Sequence, residues 1–258
     1  MLNRKILRTG PVVKIILFAL MLGFLLVWSS TYQGGMDRYL LIRLAYSAAT
    51  LFVGLAVIRT TRMFEGRRLS KTMREITLMY MLVFCLFYLA FFFGLPINIY
   101  KTLKLEPKLI LWCAELALCA GLSEEVMFRF VLADGFAQIF KNSKHMLLLT
   151  SIVSSIIFGT IHLNNLSGTN TLLVIEQVVS AFVVGLSLCI VRMLFDRLWP
   201  VVLIHTLIDF QPSIVQPLEG EPFSVWAMLY VYGSLLILNI IALVLMDDKR
   251  NSQLQVEY

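Results

Sequence analysis

The chain is short of charge and shorter still of histidine. Asp, Glu, Lys and Arg make up 15% of its 258 residues, and there are only three histidines. Soluble domains carry about 25% charged residues, so an ordinary solvated surface is excluded. The four cysteines, Cys85, Cys113, Cys119 and Cys189, all lie in apolar stretches without CxxC pairing. That spacing argues against a disulfide framework and a zinc knuckle alike. HExxH is absent, which excludes the helix of that metalloprotease class. No inverted repeat of the transporter kind, low-complexity linker or separate polar domain can be read along the chain.

What is present is apolar. Hydrophobic residues reach 59% and the mean hydropathy is +0.82. Eight apolar segments of spanning length are read as Val12–Ser30, Tyr39–Ile58, Ile76–Leu95, Leu109–Gly135, Met146–Leu163, Leu172–Leu194, Trp199–Val215 and Val225–Met246. The expectation is an all-α membrane protein, a polytopic bundle of about eight transmembrane helices. The fourth segment is long enough to tilt. The seventh is short and carries Pro200 and Pro212. The first is longer than a signal-peptide core and is read as a retained helix.

The net charge of +6 is unevenly placed. Arg4, Lys5, Arg8 and Lys14 precede the first segment or open it, and Arg59, Arg62, Arg67, Arg68, Lys71 and Arg74 fill the second loop. Lys141, Lys144, Arg192, Arg197, Lys249 and Arg250 follow on alternate loops. The positive-inside rule then puts both termini in the cytoplasm of a multi-pass cell-membrane protein. Basic residues beside a span serve orientation or anionic lipid, so membrane lipid is an expected partner and nucleic acid is not.

Against this background one run stands out. Ser123-Glu124-Glu125-Val126-Met127-Phe128-Arg129 sits inside the fourth apolar segment. Each intramembrane charge costs about 2.5–3.5 kcal/mol on insertion scales. Residues four apart share a helix face, so Glu125 can pair with Arg129. Glu124 has Phe128 at that spacing and no cation, which leaves it free to act as a general base or acid. A buried ion network without chemistry would show the same pattern.

Two further pairs follow. Phe158 and His162 are four apart near the end of the fifth segment, before Asn164 and Asn165. His205 and Asp209 are four apart in the seventh, where Asp209 could fix the tautomer of His205 or neutralise Arg129. His145, beside Lys144 at a membrane edge, carries no such signal. Two histidines and two glutamates on neighbouring helices can converge in one cavity. Read from the residues, Glu124, His162 and His205 are also a conceivable zinc set with one open position, so the cofactor is left open between none and zinc.

The order EExxxR, FxxxH, HxxxN/D resembles the CAAX-protease and bacteriocin-processing family, also called the Abi family. The resemblance rests on Glu124-Glu125-Val126-Met127-Phe128-Arg129, Phe158-Gly159-Thr160-Ile161-His162 and His205-Thr206-Leu207-Ile208-Asp209. It implies an intramembrane endopeptidase cutting a membrane-associated or lipidated peptide or protein. Glu124 would activate water with help from His162. Glu125, Arg129 and Phe158 would support it, and His205 with Asp209 would face the oxyanion. The resemblance admits a metalloprotease or a metal-free glutamate mechanism. The eukaryotic prenyl-protein proteases carry Asn in the last place; Asp209, when ionised, can only accept a hydrogen bond. Three regions are expected: residues 1–108 with three spans and a basic cytoplasmic loop at 59–75, a catalytic core at 109–215, and a last span and tail at 216–258. The competing readings are a non-catalytic scaffold or bacteriocin self-immunity protein, and a proton-coupled transporter, the latter weakened by the missing repeat.

Overall fold

The computed structural model describes residues 2–64, 71–167, 170–215 and 223–255. Among these residues every regular element is helical, and the chain is an all-α, multi-pass membrane protein. A short α1 (Arg4–Arg8) leads into α2 (Pro11–Thr31) and α3 (Met36–Ile58). Helix α4 (Lys71–Leu82) continues as a π-helix over Val83–Phe92 and is followed by a short α5 (Leu95–Thr102). Helix α6 (Pro107–Glu125) runs through a π-helical segment, Val126–Leu132, into α7 (Ala133–Ile139). Then come α8 (Met146–Thr160), a 3₁₀ turn over Ile161–Ser167, α9 (Thr171–Phe195), α10 (Trp199–Asp209) and α11 (Val225–Gln255).

Six helical stretches among the described residues are both long and apolar enough to cross a membrane: Pro11–Thr31, Met36–Ile58, Glu75–Phe92, Met146–Leu166, Thr171–Phe195 and Val225–Ser252. The two other expected spans depart from that standard for different reasons. Helix α6 is long but carries Lys108, Glu115, Glu124 and Glu125. Helix α10 has only 11 residues, about 16 Å at the α-helical rise, or roughly half the ~30 Å hydrocarbon thickness. The expected seventh segment ran to Val215, but the helix stops at Asp209 and a 3₁₀ turn occupies Pro212–Ile214. Pro212 cannot donate to the carbonyl four residues back and clashes with it. The third segment likewise ends early: Gly94 takes a left-handed φ of +61°, and α5 starts afresh with Pro96 in its first turn.

Helix α9 is the centre of the bundle; 72% of its most apolar window is buried, against 17% for α2. Its Gly185, Ser187 and Cys189 are all buried, and such small side chains let neighbouring helices approach closely. A buried polar network joins α4, α9 and α11: the Tyr80 hydroxyl donates to Asn239 Oδ1 at 2.7 Å, Ser187 Oγ to the same oxygen at 3.1 Å, and Asn239 Nδ2 to the Val183 carbonyl at 2.9 Å. Asp247 on α11 accepts the Leu147 and Leu148 backbone N–H groups, each at 3.0 Å, and so caps the start of α8.

Several charges assigned to topology have other work. Lys14 is fully buried and donates through Nζ to the Ile6 carbonyl at 2.6 Å. Arg192 is 1% exposed. Neither is a loop charge. Within the basic stretch 59–75, Arg67 and Arg68 lie outside the described residues.

Candidate active site

Helix α6 changes to π-helical winding directly after Glu125, and Arg129 sits within that wider turn. π-turns frequently mark functional sites. The expected pair forms: Arg129 Nη1 lies 3.1 Å from Glu125 Oε1, with side chains 1% and 0% exposed. The Arg129 guanidinium also stacks 4.1 Å from the Phe158 ring centroid, a favourable cation–π position when desolvated. Gly185 packs tightly beside it: a Cβ there would come 3.1 Å from Arg129 Nη2 and from Ser155 Oγ.

Helix α10 brings His205 against this pair. The close approach of α6 and α10 depends on Gly121, where a Cβ would stand 2.9 Å from the Thr206 backbone nitrogen. His205 Nδ1 lies 2.6 Å from Glu125 Oε1. A carboxylate accepts, so the proton of that bond belongs to Nδ1. His205 Nε2 faces the other way, 3.7 Å from Glu124 Oε2 and 3.5 Å from Asp209 Oδ2. Glu125 therefore holds the Nδ1 edge of His205, and Asp209, at the expected i,i+4 spacing, lies at the Nε2 edge. Asp209 shares that edge of the ring with Glu124.

His162 occupies the first turn after α8. Its Nδ1–H donates to the Phe158 carbonyl at 2.9 Å, which leaves Nε2 as an acceptor. The Phe158 ring is edge-to-face with both His162, at 5.3 Å between centroids, and His205, at 5.8 Å. Phe158 thus packs the two histidines and Arg129 about one ring. Glu124, Glu125, Arg129, His205 and Asp209 share one polar cluster; His162 stands beside it through Phe158. Exposure is graded across the cluster. Glu125 is sealed, whereas the Glu124 side chain is 17% exposed and that of Asp209 26%. The Nε2 edge of His205 is the open side.

A metal set does not assemble. Among the described residues no group of three or more His, Cys, Asp and Glu side chains is gathered so as to hold an ion. Glu124, His162 and His205 do not form such a group in this arrangement.

A second buried ionic group adjoins the first, and its members carried no motif in the sequence. Arg192 Nε–H donates to the Arg129 carbonyl at 2.9 Å, Nη1–H to the Thr61 carbonyl at 3.2 Å, and Nη2 lies 3.5 Å from Asp134 Oδ1. Intramembrane charge alone could have flagged Asp134 and Arg192; their spacing could not have joined them.

Residues 106–211 match the family described as Rce1-like, type II CAAX prenyl endopeptidase. Over these residues the chain is similar to that family. The match spans α6 to α10 and includes every residue of the polar cluster. It agrees with the resemblance carried by the three motifs and supports a peptidase with a peptide or protein substrate at the membrane. No curated protein and no solved structure matches the chain.

Proposed function

We propose that this protein is an intramembrane endopeptidase that hydrolyses a peptide bond in a membrane-associated or lipidated peptide or protein, with Glu124 as the base that activates water. The observation that carries the reading is the opposed environment of the two edges of His205. Its Nδ1 is tied to a sealed Glu125 at 2.6 Å, and its Nε2 is turned to a partly open Glu124 at 3.7 Å.

Water held against Glu124 gives it a proton as the water oxygen attacks the scissile carbonyl carbon. The carbonyl electron pair moves onto oxygen, and a His205 ring protonated at both nitrogens meets that oxyanion through Nε2–H. The oxyanion then re-forms the C=O bond as the C–N bond breaks and the proton held by Glu124 passes to the amide nitrogen, leaving a carboxylic acid and an amine; the acid proton moves to the amine, giving carboxylate and ammonium. Glu125 fixes the ring and keeps Nδ1 protonated. Arg129 neutralises Glu125, and Asp209 offers a second carboxylate beside Nε2. His162, with Nε2 as an acceptor, assists the proton movements. These roles need only the side chains present.

A lipid-linked substrate suits the surroundings. An apolar groove of about 510 Å³ runs between α9 and α11, lined by Val179, Phe182, Met228 and Leu236 among others. Phe182 also packs against Gly159, next to Phe158. The charge distribution outside the buried cluster favours a cell-membrane protein with both termini cytoplasmic.

The test is a comparison of membrane peptides by mass spectrometry in cells carrying wild-type protein or Glu124→Ala at matched abundance. Peptides or protein termini that appear only with wild-type protein support the peptidase. Identical profiles, with function retained by Glu124→Ala, would favour the scaffold or self-immunity reading.

A further inference from the structure

We infer that Arg192 is a positioning residue for the candidate active site: it clamps the Arg129 backbone and thereby sets the Glu125–His205 pair. Arg192 lies in the last turn of α9 and is 1% exposed. Its Nε–H donates to the Arg129 carbonyl at 2.9 Å. From Arg129 the chain of contacts continues through Nη1 to Glu125 Oε1 at 3.1 Å and from that same oxygen to His205 Nδ1 at 2.6 Å. The Arg192 guanidinium therefore stands one hydrogen bond and two ionic contacts from the imidazole.

The clamp acts where the backbone is least regular. The Arg129 carbonyl lies within the π-helical segment Val126–Leu132, where the hydrogen-bond ladder shifts from i−4 to i−5. A buried donor from another helix fixes the carbonyl direction there. The other arms of the fork reach the Thr61 carbonyl at 3.2 Å and Asp134 at 3.5 Å. Asp196, one residue past α9, holds the same segment by accepting the Met63 and Phe64 backbone N–H groups at 2.6 and 2.8 Å. The segment after α3 is thus tied to the pair that orients His205. Lysine keeps the charge of Arg192 but cannot reproduce a planar fork of fixed donors. The alternative, that Arg192 is only the counter-charge of Asp134, makes a different prediction.

The deciding experiment uses the full chain in lipid nanodiscs with ¹⁵N-histidine label; there are only three histidines to assign. The His205 Nδ1–H signal is compared in wild type, Arg192→Lys and Asp134→Asn. Arg192→Lys is expected to shift or broaden that signal, while Asp134→Asn leaves it in place. The rate arm rests on the peptidase reading: kcat for a membrane peptide should fall about 10²-fold in Arg192→Lys with KM unchanged, as for a small misplacement of a catalytic group. An unchanged His205 signal in folded Arg192→Lys, or the same shift in Asp134→Asn, overturns the inference. If wild-type protein cleaves nothing, the peptidase reading falls and the His205 signal still decides this one. Arg192→Gln serves if the lysine variant does not accumulate, and a wild-type signal in it would count equally against the clamp.

Discussion

Two buried ionic groups sit back to back in this bundle, and they are built from the same materials. One joins Glu125, Arg129 and His205; the other joins Asp134 and Arg192. Both lie along the Pro107–Ile139 helix and its partners. They differ in closure. Arg192 and Asp134 are 2% and 0% exposed, so that group is sealed. The other has an open edge, where Glu124 and Asp209 are 17% and 26% exposed beside His205 Nε2. Burial of charge alone does not mark a reactive site. A sealed group can hold the fold and position its neighbours, whereas only an open one can exchange protons with a bound molecule.

The largest effect that would break this contrast is on stability at the open group. Glu125→Gln leaves Arg129 without its carboxylate in a low-dielectric interior, and breaking a buried pair costs roughly 3–5 kcal/mol. Thermal unfolding in detergent should show that loss together with lost peptidase activity, since His205 also loses its charged anchor. Unchanged stability would mean that Phe158 alone carries the Arg129 charge.

A smaller effect is expected at the sealed group. Asp134→Asn removes one partner from Arg192, which keeps the Arg129 and Thr61 carbonyls. A loss of about 1–3 kcal/mol is expected, typical of a group left partly unsatisfied, with kcat of the folded fraction within a few-fold of wild type. A collapse of kcat at full stability would show that the two groups are not divided as their exposure suggests.

The smallest effect is expected at Asp209. Because Glu125 fixes the His205 tautomer, Asp209→Asn should cost less than tenfold in rate, under about 1.4 kcal/mol. Asp209→Ala should resemble it rather than fall far below it. Steady-state rates of the two variants sharpen the picture: a large gap between them would return the orienting role to Asp209.

The sequence showed some of this and hid the rest for physical reasons. Helical periodicity relates residues on one helix, so Glu125–Arg129 was legible from its i,i+4 spacing. The same rule paired Asp209 with His205, yet the Nδ1 partner is Glu125, which lies on another helix where periodicity carries no information. Hydropathy identified the spans but could not separate α2 from α9. Their windows average 2.4 and 2.3, while their buried shares are 17% and 72%. Lys14 and Arg192 read as loop charges because a basic residue near a span end looks the same whether it faces water or a buried acceptor. The early stop of α10 turned on Pro212, which was visible, although its consequence for spanning length was not fixed until the helix end was placed.

The central claim is that Glu124 is the base on the open edge of His205. Its most direct test is the cleavage of a membrane-associated peptide by purified wild-type and Glu124→Gln protein in nanodiscs, followed by mass spectrometry, with thermal unfolding of both as control. The account predicts that Glu124→Gln loses about 10²–10⁴ of the rate, the range for lost acid–base catalysis, and unfolds within a few degrees of wild type. Cleavage by Glu124→Gln at the wild-type rate would contradict it.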